Sequence, residues 1–488
     1  MKKIGIAFFL IFLGFIGFSQ NEVDAFRFSE AFYGGTARSM SMGGAFGALG
    51  ADLSTASTNP AGIGVYKNSS LSFSPSVNMN NTNASFAGTN ATNDKLSMMF
   101  NNVGLTFGIR DKDGTLKALN FAFGYNRYNN FAQNYNITGV NNNGSMLDAL
   151  MFDANGTHPD FLNAYTTFPA WDTWLLDTLP GTLKYTNPLW WTQTGDDKPL
   201  YGQTVSKTGQ VKGGGGETFF TGAINYNDFF YFGATIGLQS FSYNSMTVYT
   251  ESSFVDNDDL KSFSYTENLT DNGTGINMKL GFLLRPADFI RFGAAIHTPT
   301  YFDINDKYSV TANSYWNSPD ANGYYNYESD SPSNNYNFTL LTPMRLMGNL
   351  GIIIGKFALI GVDYEYVDYS TMRLSASDYM FTDENENIRE DFKPAHNLKG
   401  GVELRLGMMS LRGGYAYFGN PYNNENSYEK SQITGGIGFS SKNVYVDFAY
   451  IHDVKTYNVY FYNGYPVEPV PELTAKNGII NITMGLRF

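Results

Sequence analysis

The last nine residues alternate strictly. Ile480, Ile482, Met484, Leu486 and Phe488 fall on one face of an extended segment, and Asn481, Thr483, Gly485 and Arg487 on the other. Successive side chains of a strand point to opposite faces, so this segment has one apolar and one polar side. A wall between lipid and a polar lumen needs that division, and an aromatic last residue suits its closing strand. The pattern recurs upstream. Val103, Leu105, Phe107 and Ile109 oppose Gly104, Thr106, Gly108 and Arg110; Leu119, Phe121, Phe123 and Tyr125 oppose Asn120, Ala122, Gly124 and Asn126. Ile290, Phe292, Ala294 and Ile296 oppose Arg291, Gly293, Ala295 and His297, and Val444, Val446, Phe448 and Tyr450 oppose Tyr445, Asp447 and Ala449. Leu398, Gly400, Val402, Leu404 and Leu406 oppose Lys399, Gly401, Glu403 and Arg405. The charges keep to the polar face, as they must where an Arg or Lys facing mid-membrane lipid costs roughly 2–4 kcal/mol. A large soluble β-sandwich or β-helix also alternates, but it does not account for the N-terminus or for the spacing of the connections.

Lys2 and Lys3 precede an apolar run from Ile4 to Phe18, and Gly17 and Ser19 have signal-peptidase spacing. Residues 1–19 therefore read as a cleaved secretory signal, with Gln20 as the mature start. The run is shorter than the roughly 20 residues of a spanning helix. The most apolar later stretch, Ile352 to Ile360, is broken by Gly355 and Lys356. Without apolar helices, a membrane protein must be a closed barrel, because lipid satisfies no backbone hydrogen bonds. Composition agrees: 34 Tyr and 40 Phe suit interfacial girdles, and only 16% of residues are charged. With no cysteine, folding in an oxidising compartment needs no disulfide. The net charge of −12 becomes −14 without Lys2 and Lys3, which argues against a nucleic-acid partner.

The connections alternate between tight and long. Tight turns read at Asp111–Gly114, Asn227–Asp228, Arg285–Asp288, Gly355–Lys356, Gly407–Met409 and Ser441–Asn443. Polar stretches lie at about 81–94, 131–216, 251–268, 312–337, 374–396, 419–430 and 461–475. Thirteen connections join fourteen strands, giving an all-β transmembrane β-barrel over residues 68–488 with antiparallel neighbours. Both termini and the short turns are expected on the periplasmic side, and the long loops, the largest at about 131–216, outside the cell. Such a barrel is too wide for its own side chains to fill, since around eight strands already do so. Residues 20–67, rich in small residues and glycine, are expected to cross the lumen as an N-terminal hatch, or plug. The Gly213–Gly216 run lacks the Lys-Ser/Thr of a phosphate loop and reads as a flexible linker.

Ala37-Arg38-Ser39-Met40-Ser41-Met42-Gly43-Gly44-Ala45-Phe46, Ala51-Asp52 and Asn59-Pro60-Ala61-Gly62 resemble the start of the FadL/TodX family of outer-membrane transporters. Arg285-Pro286 before Arg291-Phe292-Gly293, Thr342-Pro343 before Gly361-Val362-Asp363-Tyr364-Glu365-Tyr366, and Leu411-Arg412-Gly413-Gly414-Tyr415 extend the resemblance along the chain. It implies a fourteen-stranded barrel with a hatch, in the outer membrane of a Gram-negative cell. It also implies passive uptake of long-chain fatty acids or aromatic hydrocarbons. Substrate would be captured by the outer loops, held in an upper pocket and released sideways through the wall beside a kinked strand. A lateral exit spares a greasy ligand the roughly 0.8 kcal/mol per CH₂ of exposure to water.

On this reading Asn59, Pro60, Ala61 and Gly62 form a gate hinge or a fixed cap on the plug. The third strand kinks near Gly124, Asn126 and Asn129-Asn130, or merely frays. Phe161, Leu162, Phe168, Trp171, Trp174 and Leu175 form a capture groove or pack together as a lid. Arg127, Arg291, Arg405 and Arg412 meet a carboxylate headgroup or pair with Glu403, Asp363 or Glu365. His158, His297, His396 and His452 have no metal spacing, and no nucleophile–base arrangement points to an enzyme; neither metal nor cofactor is expected. Expected partners are outer-membrane lipid, a hydrophobic small molecule, and the barrel-assembly machinery through Phe488, with the barrel a monomer. The alternative is a carrier or docking barrel for exported proteins in a secretion system.

Overall fold

Alternation on this scale builds one continuous sheet. In the computed structural model, which describes residues 22–111, 114–190, 199–255, 257, 259–423, 428–462 and 470–488, that sheet closes on itself. The expected signal peptide, residues 1–19, lies outside the described residues, as does Gln20.

The barrel strands, several of them broken, are β1 (Ser70–Phe86), β2 (Thr89–Arg110), β3 (Leu116–Asn130, then Gln133–Asn141), β4 (Gln203–Tyr226), β5 (Phe230–Ser252) and β6 (Leu260–Ala287). They continue as β7 (Ile290–His297, then Tyr301–Trp316), β8 (Asn326–Asp330, Asn334–Leu341, then Arg345–Ile354) and β9 (Ala358–Asp368, then Arg373–Ser375). The last are β10 (Pro394–Leu406), β11 (Met409–Phe418), β12 (Tyr428–Ser440), β13 (Val444–Asn458) and β14 (Glu472–Arg487). Neighbours are antiparallel, and β14 returns to β1 from Ser70↔Arg487 to Ser85↔Glu472. This is a fourteen-stranded closed barrel, and the terminal alternation is its closing strand. Strands meet at the six expected turn positions; in the turn at Asp111–Gly114, residues 112–113 lie outside the described residues.

The outward face explains the apolar positions. Leu71, Phe73 and Met79 of β1 are exposed, while Ser70, Ser72, Ser74, Ser76 and Asn78 are buried. On β6 the outward residues Ile276, Met278, Phe282 and Leu284 are apolar, and give way to Thr274 and Asn272 further up. From 276 to 284 is about 27 Å of strand, or about 20 Å of height at the usual tilt. Exposed Tyr301, Tyr364, Tyr415, Tyr417 and Tyr450 border this belt above, and Phe229, Phe289, Phe357 and Phe488 border it at the turn rim. Those are the two aromatic girdles of a barrel in a bilayer.

Above the belt the strands run further than the polar stretches suggested. Residues 81–94 are not a loop: β1 and β2 stay paired from Ser70↔Thr106 to Phe86↔Thr89. They turn at Ala87 and Gly88, with φ of +47° and +79°, the left-handed pair that a tight hairpin needs. Likewise 133–141 and 203–216 are strand, and the connection proper is 142–202. Beyond the belt the outward face meets water, and buried inward positions such as Asn80 and Thr82 are polar and hydrogen-bonded, so an Asn/Thr/Ser-rich strand shows no apolar side and looks like loop. The Gly213–Gly216 run is no linker either. It lies in β4, and side chains on Gly215 and Gly216 would overlap Tyr128 and Tyr125 of β3.

Residues 142–202 contain a helix, Met146–Ala154, whose Ser145 cap shares a capping box with Asp148. Leu147, Leu150, Leu162, Leu175 and Leu176 form a buried cluster there, with Val205, Phe263 and Leu473 from the barrel extensions.

Candidate functional site

Residues 22–65 lie inside the barrel because inward side chains take up their backbone groups. Thr483 accepts from Ala37 N–H at 2.6 Å, and Asp363 from Phe46 and Gly47 N–H at 3.0 and 2.9 Å. Thr434 accepts from Gly43 N–H at 3.0 Å and donates to Ser41 O at 3.0 Å. Asn120 donates to Ile63 O at 2.9 Å, Thr235 to Ala56 O at 2.9 Å, and Asn481 to Gly35 O at 3.0 Å. His297 Nε2 is 2.8 Å from Thr58 O. These contacts come from β3, β5, β7, β9, β12 and β14, on all sides of the segment.

Buried charge reinforces them. Glu403 holds Arg38 at 2.8 Å, Arg412 at 2.7 Å and Arg405 at 2.6 Å, and Arg412 also reaches Asp447 at 2.6 Å. Across the lumen the Glu217–Lys279 ion pair is fully buried, with Ser57 and Gln239 donating to Glu217 at 2.8 and 3.0 Å. Lys279 Nζ lies 5.3 Å from the Tyr33 ring centroid. Burial, with the Glu217 carboxylate, pushes the Tyr33 phenol far above its ordinary value. Leaving one member of such a set unpaired costs several kcal/mol, so this half of the segment is anchored.

Asn59 is fully buried and donates to Phe282 O at 3.2 Å and to Asn349 at 3.0 Å, while its Oδ1 accepts from Ala61 N–H at 3.2 Å. Pro60, Ala61 and Gly62 continue in a buried 3₁₀ turn, Pro60–Val65. Pro60 presses on Gly233 of β5 so closely that a Cβ there would overlap its backbone.

One seam of the wall is different. β2 and β3 pair from Arg110↔Ala118 to Asn102↔Asn126 and then part. β2 stays with β1, and β3 stays with β4 through a register shift between Arg127 and Asn129. β3 is regular through Gly124 and Asn126; its register slips between Arg127 and Asn129, and the strand breaks at Phe131 and Ala132. The seam is bridged by Arg127 Nε donating to Phe100 O at 3.2 Å, and higher up by Lys95 to Asn134 at 3.2 Å. Outside it Met98 is 80% exposed.

A cavity of about 110 Å³ lies behind the seam. Met99 and Asn101 of β2 and Arg127, Asn129 and Asn130 of β3 form its seam wall; Phe32, Tyr33 and Gly34 come from the inner segment. Lys399, Phe418, Lys430, Gln432, Asp453 and Asn477 line the far side. Lys430 Nζ stands 3.6 Å from the Phe32 ring centroid and 3.3 Å from Asp453. The lining among the described residues carries three cations, Arg127, Lys399 and Lys430, against one carboxylate, and mixes amides with aromatic rings. It can hold a small polar or anionic group with apolar surface beside it.

Of the four arginines singled out from sequence, Arg127 alone lines this cavity. Arg405 and Arg412 are taken by Glu403, and Arg291 donates to Leu49 O. In the loop, Leu162 and Leu175 are buried, and Phe168 and Trp171 pack on the same cluster. Phe161 at 79% and Trp174 at 51% are exposed, Trp174 edge-on to Tyr327. Sequence reasoning missed Lys430, Asp453, Glu217 and Lys279. Their signal was parity: each occupies an inward position on an alternating strand.

Fold and cavity together define a membrane-spanning barrel with an internal N-terminal segment. The sequence matches no family model and no curated protein. Solved structures with the same fold include the Ralstonia pickettii toluene transporter TbuX, with 14% identity over 93% of this chain and 98% of that one, TM-score 0.51. They also include a Pseudomonas aeruginosa FadL homologue, with 11% identity over 94% and 100%, TM-score 0.52. The P. putida toluene transporter TodX has 11% identity over 93% and 99%, TM-score 0.52. The fold is that of the FadL/TodX-type transporters.

Proposed function

We propose that this chain is an outer-membrane channel for passive uptake of hydrophobic compounds that carry an anionic head, such as long-chain fatty acids. The observation that carries this is the cavity that ends at the parted seam of β2 and β3. The anchored segment closes the lumen below it, so the short way out is sideways into the bilayer. The neighbours TbuX and TodX are toluene transporters, which supports a hydrophobic cargo. The cation excess of the lining supports a carboxylate at one end of it, with Arg127 among its contacts.

On this reading residues 1–19 are the export signal, and 20–67 form a fixed hatch in which Asn59–Gly62 act as its cap. The long loops face outward and the N-terminus lies on the periplasmic side. Phe161 and Trp174 are the first apolar surface a ligand meets, above the lid that Leu162, Phe168, Trp171 and Leu175 pack together. Phe488 is the assembly signal, and the barrel works as a monomer. The test is uptake of radiolabelled oleate by a Gram-negative strain lacking its own fatty-acid channel. Expression of this chain should raise uptake severalfold. Unchanged uptake, with loss of surface proteins when the chain is deleted in its own host, would favour the secretion-carrier reading instead.

A further inference from the structure

Above the belt the outer face of the wall is polar, and on one side of the barrel its cations stand alone. Lys212, Asn244, Thr270, Lys307 and Asn335 fall in one row across β4 to β8, each paired with the next. Lys212 and Lys307 are exposed, whereas Glu217, Asp271 and Asp306 of the same strands are buried and face inward. At about 4.8 Å per strand, the two lysine backbones are about 14 Å apart. Between them Thr270 donates to Asn244 at 3.0 Å, and just below Lys307 Asn305 donates to Asn335 and Asn337 at 2.7 and 2.8 Å. The row is therefore a fixed band of amides and hydroxyls with a lysine on either side of its middle.

A third cation marks the foot of this face. Ile276, Tyr301, Leu341 and Arg373 form a lower row across β6 to β9. Tyr301 belongs to the upper girdle, so the exposed Arg373 stands at the level of lipid headgroups. Lys307 is six residues above Tyr301, or about 14 Å of height at the usual tilt. None of the three cations has an ion pair among the described residues. Exposed carboxylates stand off from Lys307: Asp303 lies four positions below it, and Asp330 pairs with Thr311 four positions above. With a net charge of −12, the molecule as a whole repels anions. Any anion held on this face is held by these local charges.

We propose that this face binds a phosphorylated glycolipid of the outer leaflet, with one phosphate on Arg373 at the girdle and another, carried higher on the sugars, between Lys212 and Lys307. A phospholipid with a single phosphate at the interface reaches Arg373 alone. A headgroup of phosphorylated sugars spans the height to the lysine row, where its hydroxyls meet Asn244 and Thr270. Its acyl chains lie on Ile276 and Leu341 below. Arginine and lysine both bond phosphate oxygens with charge assistance. The inference rests on the outward orientation of the long loops proposed above and is independent of the cargo.

Titration of the purified full-length barrel in detergent tests it. The probes are rough-type lipopolysaccharide, the same lipid stripped of its phosphates, and phosphatidylglycerol. Wild type should bind the phosphorylated glycolipid about tenfold more tightly than either of the others. Lys212→Gln/Lys307→Gln/Arg373→Gln should abolish that preference, and Lys476→Gln, at an exposed lysine on β14, should keep it. Equal affinity of wild type for the phosphorylated and stripped lipids overturns the inference, as does equal affinity for phosphatidylglycerol. So does an undiminished preference in the triple variant, or a loss as large in Lys476→Gln, which would mean attraction to charge anywhere on the wall. If the triple variant does not fold, the three single variants decide: each should weaken the preference, and no change in any of them overturns the inference. Orientation is read separately. The chain has no cysteine, so Ala321→Cys, exposed in the connection between β7 and β8, reports through a membrane-impermeant maleimide on intact cells. No labelling overturns the outward orientation and the inference with it, whereas labelling without phosphate-dependent binding overturns the site alone.

Discussion

Two stretches of the same N-terminal segment are held in opposite ways. Residues 36–65 are bound by side chains from all round the wall, several of them buried carboxylates. Residues 31–35 lie along one strand edge, held by two backbone hydrogen bonds to β3 and by the rings of Phe32, on Phe418 and Lys430, and Tyr33, on Lys279 and His297. The first arrangement cannot yield stepwise, because each move strands a buried charge or amide. The second rests on neutral groups, and a backbone group released into a polar cavity exchanges its partner for water at a net cost of about 1 kcal/mol per bond. A single peptide is thus held by buried charge along one stretch and by main-chain bonds and aromatic rings along the other, and substitutions in the two should behave differently.

The largest effect is expected at the floor. Glu403→Ala leaves Arg38 and Arg405 without their carboxylate and Arg412 with Asp447 alone. It should lower the stability of the folded barrel by about 3–5 kcal/mol, read as an earlier urea midpoint of the folded band in detergent. A loss below about 1 kcal/mol would mean that the floor is not locked by this cluster, and the contrast with residues 31–35 would fail.

Gly233→Ala comes next. The new methyl would overlap the Pro60 backbone, which cannot turn aside as a side chain would. Overpacking of this kind costs about 1–3 kcal/mol. The same urea titration reads it. No shift would show that the Asn59–Gly62 cap gives way freely, as a hinge rather than a cap.

How much of this was legible beforehand depends on the kind of force. Membrane insertion writes itself into every strand, because each lipid-facing position such as Phe107, Leu404 or Met484 must be apolar. Strand count, turns and closure were therefore readable. The strand ends were not, because above Asn80 and Leu96 the outward faces of β1 and β2 meet water and the buried inward residues Asn80 and Thr82 are polar, so the sequence shows no apolar face to distinguish it from a loop. The floor was half readable. Glu403 was visible as a partner for arginine, but Glu217 and Lys279 are 62 positions apart and meet only because β4, β5 and β6 are adjacent. The run of residues 31–35 along β3 was not readable at all. Its bonds to β3 are main-chain, the partners of its rings lie hundreds of positions away, and the free edge of β3 exists only because one ladder stops at Asn126.

Arg127 sits on the boundary between the two behaviours and should show the smallest change in stability. Its side chain donates to Phe100 O across the seam and to Asn129 O at 3.4 Å, and it lines the cavity. Arg127→Gln should shift the urea midpoint by less than about 1 kcal/mol. Uptake separates its two roles. If the guanidinium meets a carboxylate, uptake of labelled oleate falls severalfold while the methyl ester, which has no charge to lose, is taken up as before. If it only ties β3 to β2, both ligands change together, and faster uptake of both would assign the residue to the seam rather than to the ligand. The expected outcome is the first, because Arg127, Lys399 and Lys430 are the cations of the cavity lining and Lys430 is already paired with Asp453.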